Sequence, residues 1–201
     1  IVGTRGRSPG ENQRFTADNG VDVPREMPVV VLIDEGSASA SEILAGALKD
    51  RDRAYLIGET TYGKGSVQQV RRITTGGFRL TMSRYYTPSG DYIDKKGIEP
   101  DLVVQDPELS DEDLDSLARL QEQGLVEEFV SEEPSPTASQ ISSFIERLRE
   151  QDITLSERRI RKLVRDEVQQ VNDVTQVYDL EFDIVLQRAV DMLRQGEIPV
   201  Q

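Results

Sequence analysis

The sequence predicts an α/β fold followed by an all-helical region, and three observations carry that reading. Val29-Val30-Val31-Leu32-Ile33 is a short apolar run rich in β-branched residues, the composition of a strand covered on both faces. Just beyond it, Ala40, Ile43, Leu44, Ala47 and Leu48 recur at i, i+3, i+4, i+7 and i+8, an apolar helical stripe, and Ala54-Tyr55-Leu56-Ile57 supplies the next strand. From Asp106 onward the period is helical, and the charge changes with it. Residues 1–105 balance fourteen basic against fourteen acidic side chains, so residues 106–201 carry the whole formal charge of −13. The boundary is therefore placed at a core of residues 1–105 and an acidic helical region of residues 106–201.

In chain order, Ile1-Val2 opens a strand, and a polar, turn-rich connection runs to Glu26. Arg5 and Arg7 within it read as solvated loop arginines, with capture of a substrate carboxylate the less favoured alternative. Asp34-Glu35-Gly36 breaks the first buried strand, and Ser37-Ala38-Ser39-Ala40-Ser41 opens the helix. Ser66-Val67-Gln68-Gln69-Val70 reads as a further strand. Gly76-Gly77 then links Val70–Ile73 to an alternating strand from Phe78 to Tyr86, the pattern of a hairpin whose Thr81–Tyr85 stretch could present an edge to an extended peptide. Tyr85 and Tyr86 read as packing residues first and groove-lining residues second. Ile98 to Val104 reads as an edge strand, because Pro100 has no N–H for a ladder. In the acidic region, Ser110-Asp111-Glu112-Asp113 caps a helix that Gly124 stops. A short apolar segment follows at Leu125–Val130, a third helix carries Ile141–Leu148, and Ser156 caps a fourth. Phe182, Leu186, Ala189, Val190 and Leu193 mark a fifth, ended by Gly196.

The residue inventory narrows the chemistry. There is no histidine and no cysteine, so a Ser-His-Asp triad, a Cys-His pair and His- or Cys-ligated metal sites are impossible within this chain. Serines at a helix N-terminus ordinarily cap it. They also sit where backbone N–H groups lack partners, so a serine attacking a carbonyl there could hand the resulting oxyanion to the next amide. Its base would have to be Lys, Asp, Glu or Tyr. Lys64 stands between Gly63 and Gly65 on a loop between two strand-like segments, where close backbone packing would wall the amine in and favour its neutral form. Gln68, four residues on, would project to the same side of an extended strand. Gly58 to Lys64 also fits the opening of a phosphate-binding loop. That reading fails twice, because Gly65 replaces the magnesium-binding hydroxyl and the following residues read as strand rather than helix.

The three blocks EGSASASEILAGALKD, GETTYGKGSVQQV and LTMSRYYTPSGDYIDKKGIEPDLVV resemble, in order, the carboxyl-terminal processing peptidases, also called tail-specific proteases. The resemblance covers about residues 1–104 and implies a ClpP/crotonase-like core, here partial. It implies Ser39 as nucleophile, Lys64 as general base, Gln68 as its assistant, the Ala40 amide as an oxyanion donor and a structural role for Asp50, with no metal and no cofactor. The family's D-L-R-x-N-x-G-G-like segment, thought to supply half the oxyanion hole, has no counterpart here, nor has its PDZ domain. The expectation is a C-terminal part of the core, with turnover slowed by about a hundredfold or more for want of the second donor.

The resemblance further implies a protein or peptide substrate with a free C-terminus and work outside the cytoplasm, in a periplasm, lumen or comparable envelope space. The acidity of residues 106–201 argues against nucleic acid, and no apolar run is long enough to span a membrane. The helical stripes of that region need partners, and a small bundle that docks on the core or forms a homodimer is favoured. The competing function is a non-catalytic scaffold or protein-interaction module that uses this helical region.

Overall fold

A computed structural model describes residues 1–18, 20–174 and 177–199. The chain divides into two compact units, one of Ile1–Gln105 with Ile184–Gln201, the other of Asp106–Asp183. Mixed α/β architecture is confined to the first, and the second is helical.

The first unit holds two sheets. One has the order β2-β1-β6-β5 and is antiparallel, built from β1 (Val2–Gly6), β2 (Gln13–Phe15), β5 (Ser66–Ile73) and β6 (Gly76–Tyr86). The other is parallel, with β4 (Tyr55–Gly58) between β3 (Val30–Ile33) and β7 (Leu102–Val103). Parallel strands need a crossover, and helix α1 (Ala40–Lys49) makes the one from β3 to β4. Val29, Val31 and Ile33 face Ala45, Ile43 and Leu48 of α1, while Val30 faces the opposite side. That second face is covered by α6 (Ile184–Gln195), whose Val185, Ala189 and Met192 pack with Ile57, Tyr55 and Leu102.

Three expectations change here. The last helix, grouped by sequence with the acidic region, lies on the parallel sheet of the first unit, because the apolar residues of β3 and β4 point both ways and one helix covers only one face. Its buried stripe is Val185-Ala189-Met192 rather than the one drawn through Leu193, which is 39% exposed. In α1 the predicted Ile43, Ala47 and Leu48 do face the core, but the buried side also takes in Glu42, Ala45 and Gly46, and Leu44 is exposed. Small residues let this helix come close, since a Cβ on Gly46 would stand 2.9 Å from both Ile98 and Thr87.

The hairpin forms, with Thr74-Thr75 as its turn and Gly76 already paired to Ile73. Met82 is skipped in the pairing between Val67–Ser83 and Gln68–Thr81, a bulge that bends the ribbon. Ser83 to Tyr85 pair with β1 on the side away from β5, so that stretch of edge is taken by the protein itself.

The second unit packs α2 (Asp111–Glu122), α3 (Leu125–Glu132), α4 (Ala138–Glu150) and α5 (Glu157–Val171) around Leu120, Val130, Phe144, Leu148, Ile160 and Val164. Phe129 and Phe144 stack with ring centres 4.3 Å apart. The caps read from sequence are made: Ser110 accepts from the Asp113 amide and Ser156 from the Arg159 amide. Arg165 lies over the Phe182 ring and pairs with Asp166 and Asp179, closing this unit's last turn.

Removing the α6 anchor tests its place on the sheet. Met192→Ala is expected to cost about 2–3 kcal/mol by cavity formation, read as a lower urea midpoint of the first unit. A helix projecting free of the sheet would lose almost nothing.

Candidate active site

The turn between β3 and α1 has one outlying backbone. Ser39, the N-cap of α1, has φ 59° and ψ −111°. Positive φ is uncommon for a side chain with a Cβ, and sparsely populated conformations cost on the order of 1–3 kcal/mol unless neighbours impose them. Here both ends of the residue are held. Its N–H donates to Glu42 Oε2 at 2.8 Å, and its carbonyl accepts the Ile43 amide at 3.1 Å. A strand feeding a strained serine at the mouth of a helix is also the geometry that exposes the nucleophile of α/β-hydrolases. Ser39 and Ala40 are both exposed. Ala40 occupies the first helical position, where the N–H has no intrahelical acceptor.

Glu42 is the residue that sequence reasoning missed. It is fully buried, at 0% exposure, and its carboxylate accepts four hydrogen bonds. Oε2 takes the Ser39 amide and the Lys64 amide, each at 2.8 Å. Oε1 takes the Gly63 amide at 2.6 Å and the Thr61 hydroxyl at 2.5 Å, and Thr61 Oγ1 in turn accepts the Ile98 amide. The backbones of Ser39 and Lys64 therefore lie no farther apart than two hydrogen-bond lengths through one oxygen. The signal was present as Ser39-Ala40-Ser41-Glu42, the S-x-x-E spacing of a capping box. Hydropathy hid it, because the pattern counts a glutamate as surface.

The glycines beside Lys64 act as expected of close packing. A Cβ on Gly65 would stand 2.3 Å from the Asp94 amide nitrogen, and one on Gly63, at φ +84°, would touch the Lys95–Gly97 turn. The Lys95 amide donates to the Gly63 carbonyl and the Tyr85 amide to the Gly65 carbonyl, so the loop is pinned on that side too. The side chain between them is another matter. Lys64 is exposed rather than walled in, and its Nζ makes no hydrogen bond to Ser39 Oγ. Close backbone contact on both flanks turns the intervening side chain outward. Gln68 is exposed and pairs with Thr81 in β5; that strand begins only at Ser66, so the period-two argument linking Gln68 to Lys64 does not reach the lysine.

Asp50 ends α1 and accepts the Ser89 amide at 2.7 Å, tying the helix to the turn after β6. Arg5 lies over the Tyr86 ring and reaches the Tyr92 hydroxyl, and Tyr85 packs against the α1 core. An open hollow lined by Glu35, Gly36, Thr61 and Tyr62 adjoins the turn, where the Tyr62 amide donates to the Ser37 carbonyl. No cluster of metal-ligating side chains and no helix long and apolar enough to cross a membrane occur among the described residues.

Comparison with known proteins gives the class. Peptidase family S41 matches residues 1–104, and the chain belongs to that family. It is 43% identical over 169 residues to a carboxy-terminal-processing protease of Bartonella bacilliformis, covering 84% of this chain and 38% of that one. It is 44% identical over 119 residues to a carboxyl-terminal-processing protease of Synechocystis sp., covering 59% of this chain and 27% of the relative. Among solved structures, the photosystem II D1 C-terminal processing protease aligns at 39% identity with a TM-score of 0.46, over 59% of this chain and 30% of that one. The chain thus spans well under half the length of the relatives it matches.

Two measurements check this geometry. Ser39→Gly, which accepts positive φ freely, is expected to be about 1 kcal/mol more stable than Ser39→Ala in chemical denaturation; equal stabilities would mean no strain at the serine. The second concerns Asp50. Burial raises its pKa, but hydrogen bonds from Thr87 and Ser89 and the Lys49 charge outweigh that and hold the carboxyl below the usual range. A lowered folded-state pKa stabilises above the unfolded value, about 3.9, and that contribution is lost as pH falls through the folded value. Asp50→Asn should therefore be less stable than wild type at pH 7, with the gap closing below about pH 4. A pH-independent gap would exclude the linkage.

Proposed function

We propose that this chain carries the catalytic pair of a serine endopeptidase acting near the C-termini of proteins, with Ser39 as nucleophile and Lys64 as general base. The observation that carries the reading is the strained Ser39 at the N-terminus of α1, joined to the Lys64 backbone through one carboxylate oxygen. Family membership makes proteins the substrate class.

In this reading Ser39 Oγ attacks the carbonyl carbon of the scissile peptide bond while the neutral amine of Lys64 takes the hydroxyl proton. The Ala40 amide, unpaired at the first helical position, donates to the oxyanion that forms. The proton returns from Lys64 to the departing amine, leaving an acyl-enzyme on Ser39. Water, deprotonated by the same amine, releases it. A base must be uncharged to take a proton. A peptide bound against the exposed Lys64 would remove its amine from water, and desolvation favours the neutral form. Gln68 would then hold the amine towards Ser39. An extracytoplasmic location and a substrate with a free C-terminus, both implied by the resemblance of the three sequence blocks to carboxyl-terminal processing peptidases, and a homodimer through the acidic helices are part of the same proposal.

Treatment of the chain with a fluorophosphonate should modify Ser39, located by peptide mass spectrometry. Lys64→Ala is expected to slow the reaction by at least about a hundredfold and Gln68→Ala by about tenfold. An unmodified Ser39 in a folded chain would favour the non-catalytic scaffold instead.

A further inference from the structure

We propose that Glu42 is a positioning residue for the Ser39–Lys64 pair, setting the separation of nucleophile and base through a single shared oxygen. The inference rests on the dyad reading and adds to it the device that holds the two residues in register.

A buried carboxylate is a costly way to fill space. Glu42 is wholly out of water, and among the described residues no lysine or arginine pairs with it. An apolar side chain of similar volume would be cheaper at such a site. Capping α1 requires just one of its bonds, the one to the Ser39 amide. The other three run to Thr61, Gly63 and Lys64, on a different loop about twenty residues along the chain. That distribution has a chemical consequence. A carboxylate is acceptor-only, so four converging donors suit it. Replacing either oxygen by an NH₂ group sets donor against donor, facing the Gly63 amide at one position and both the Ser39 and Lys64 amides at the other. Glutamine therefore cannot hold the joint that glutamate holds, though it has the same shape.

The joint is also supported from behind. Thr61 donates to Glu42 while accepting from Ile98, so the carboxylate is backed by the Ile93–Ile98 turn against which Gly63 and Gly65 pack. Loss of the Thr61 hydroxyl would let Glu42 move without removing its charge. Two substitutions thus loosen the same joint by separate means.

The test uses the full chain and two readouts. Fluorophosphonate labelling of Ser39 at saturating probe is followed from pH 6 to pH 10, and exchange of the Gly63 and Lys64 amides is followed by NMR. In Glu42→Gln the maximal labelling rate should fall by about tenfold to a hundredfold, as for a misplacement near 1 Å, with its pH profile altered and the half-saturating probe concentration little changed. Exchange of both amides should accelerate by at least tenfold. Thr61→Val should show the same pattern more weakly, and Thr61→Ser should restore wild-type behaviour. Wild-type labelling with unchanged amide protection in folded Glu42→Gln overturns the proposal. Should the wild type itself fail to label, the dyad reading falls. The joint is then judged on exchange alone, where unchanged protection in Glu42→Gln rejects it and faster exchange upholds it.

Discussion

One carboxylate, buried at the mouth of α1, is the interaction on which the site depends. Glu42 caps the helix, holds Ser39 in a backbone conformation that a serine rarely adopts, and fastens the Lys64 loop to that same serine. Each of these alone is an ordinary local bond. Together they tie the mouth of α1 to a loop about twenty residues further along the chain, beyond the helix and β4. The surrounding fold serves it. The parallel sheet fixes where α1 begins, Gly46 lets the helix close on Ile98 and Thr87, and the Ile93–Gly97 stretch presses on the glycines beside Lys64.

The open part of the site is the set of side chains proposed for the chemistry. Backbones on both sides are held, whereas Lys64 and Gln68 extend into solvent and Ser39 Oγ is open.

How much of this the sequence disclosed depended on the kind of interaction. The strand, turn and helix around Ser39 were legible because apolar periodicity reports burial, and the caps of α2 and α5 because Ser at an N-cap has a local cause. The three matched blocks pointed to Ser39, Lys64, Gln68 and Ala40 and to the family. What stayed hidden was tertiary. Periodicity alone cannot tell which body a helix will cover, so α6 was grouped with its acidic neighbours although its stripe lies on β3 and β4. The stripe of α1 was right at Ile43, Ala47 and Leu48 but missed Glu42, Ala45 and Gly46, residues that hydropathy weights least, and wrongly included Leu44. The outward turn of Lys64 followed from glycine packing on both sides, which the G-K-G pattern had suggested would enclose it.

The most direct test is a crystal structure of the chain with a peptide boronate, a mimic of the tetrahedral intermediate. The account requires boron bonded to Ser39 Oγ, Lys64 Nζ drawn in to hydrogen-bond distance of that oxygen, and a boronate hydroxyl on the Ala40 amide, with the four bonds to Glu42 intact. A boronate seated elsewhere, or bonded to Ser39 with Lys64 still turned to solvent, would contradict it.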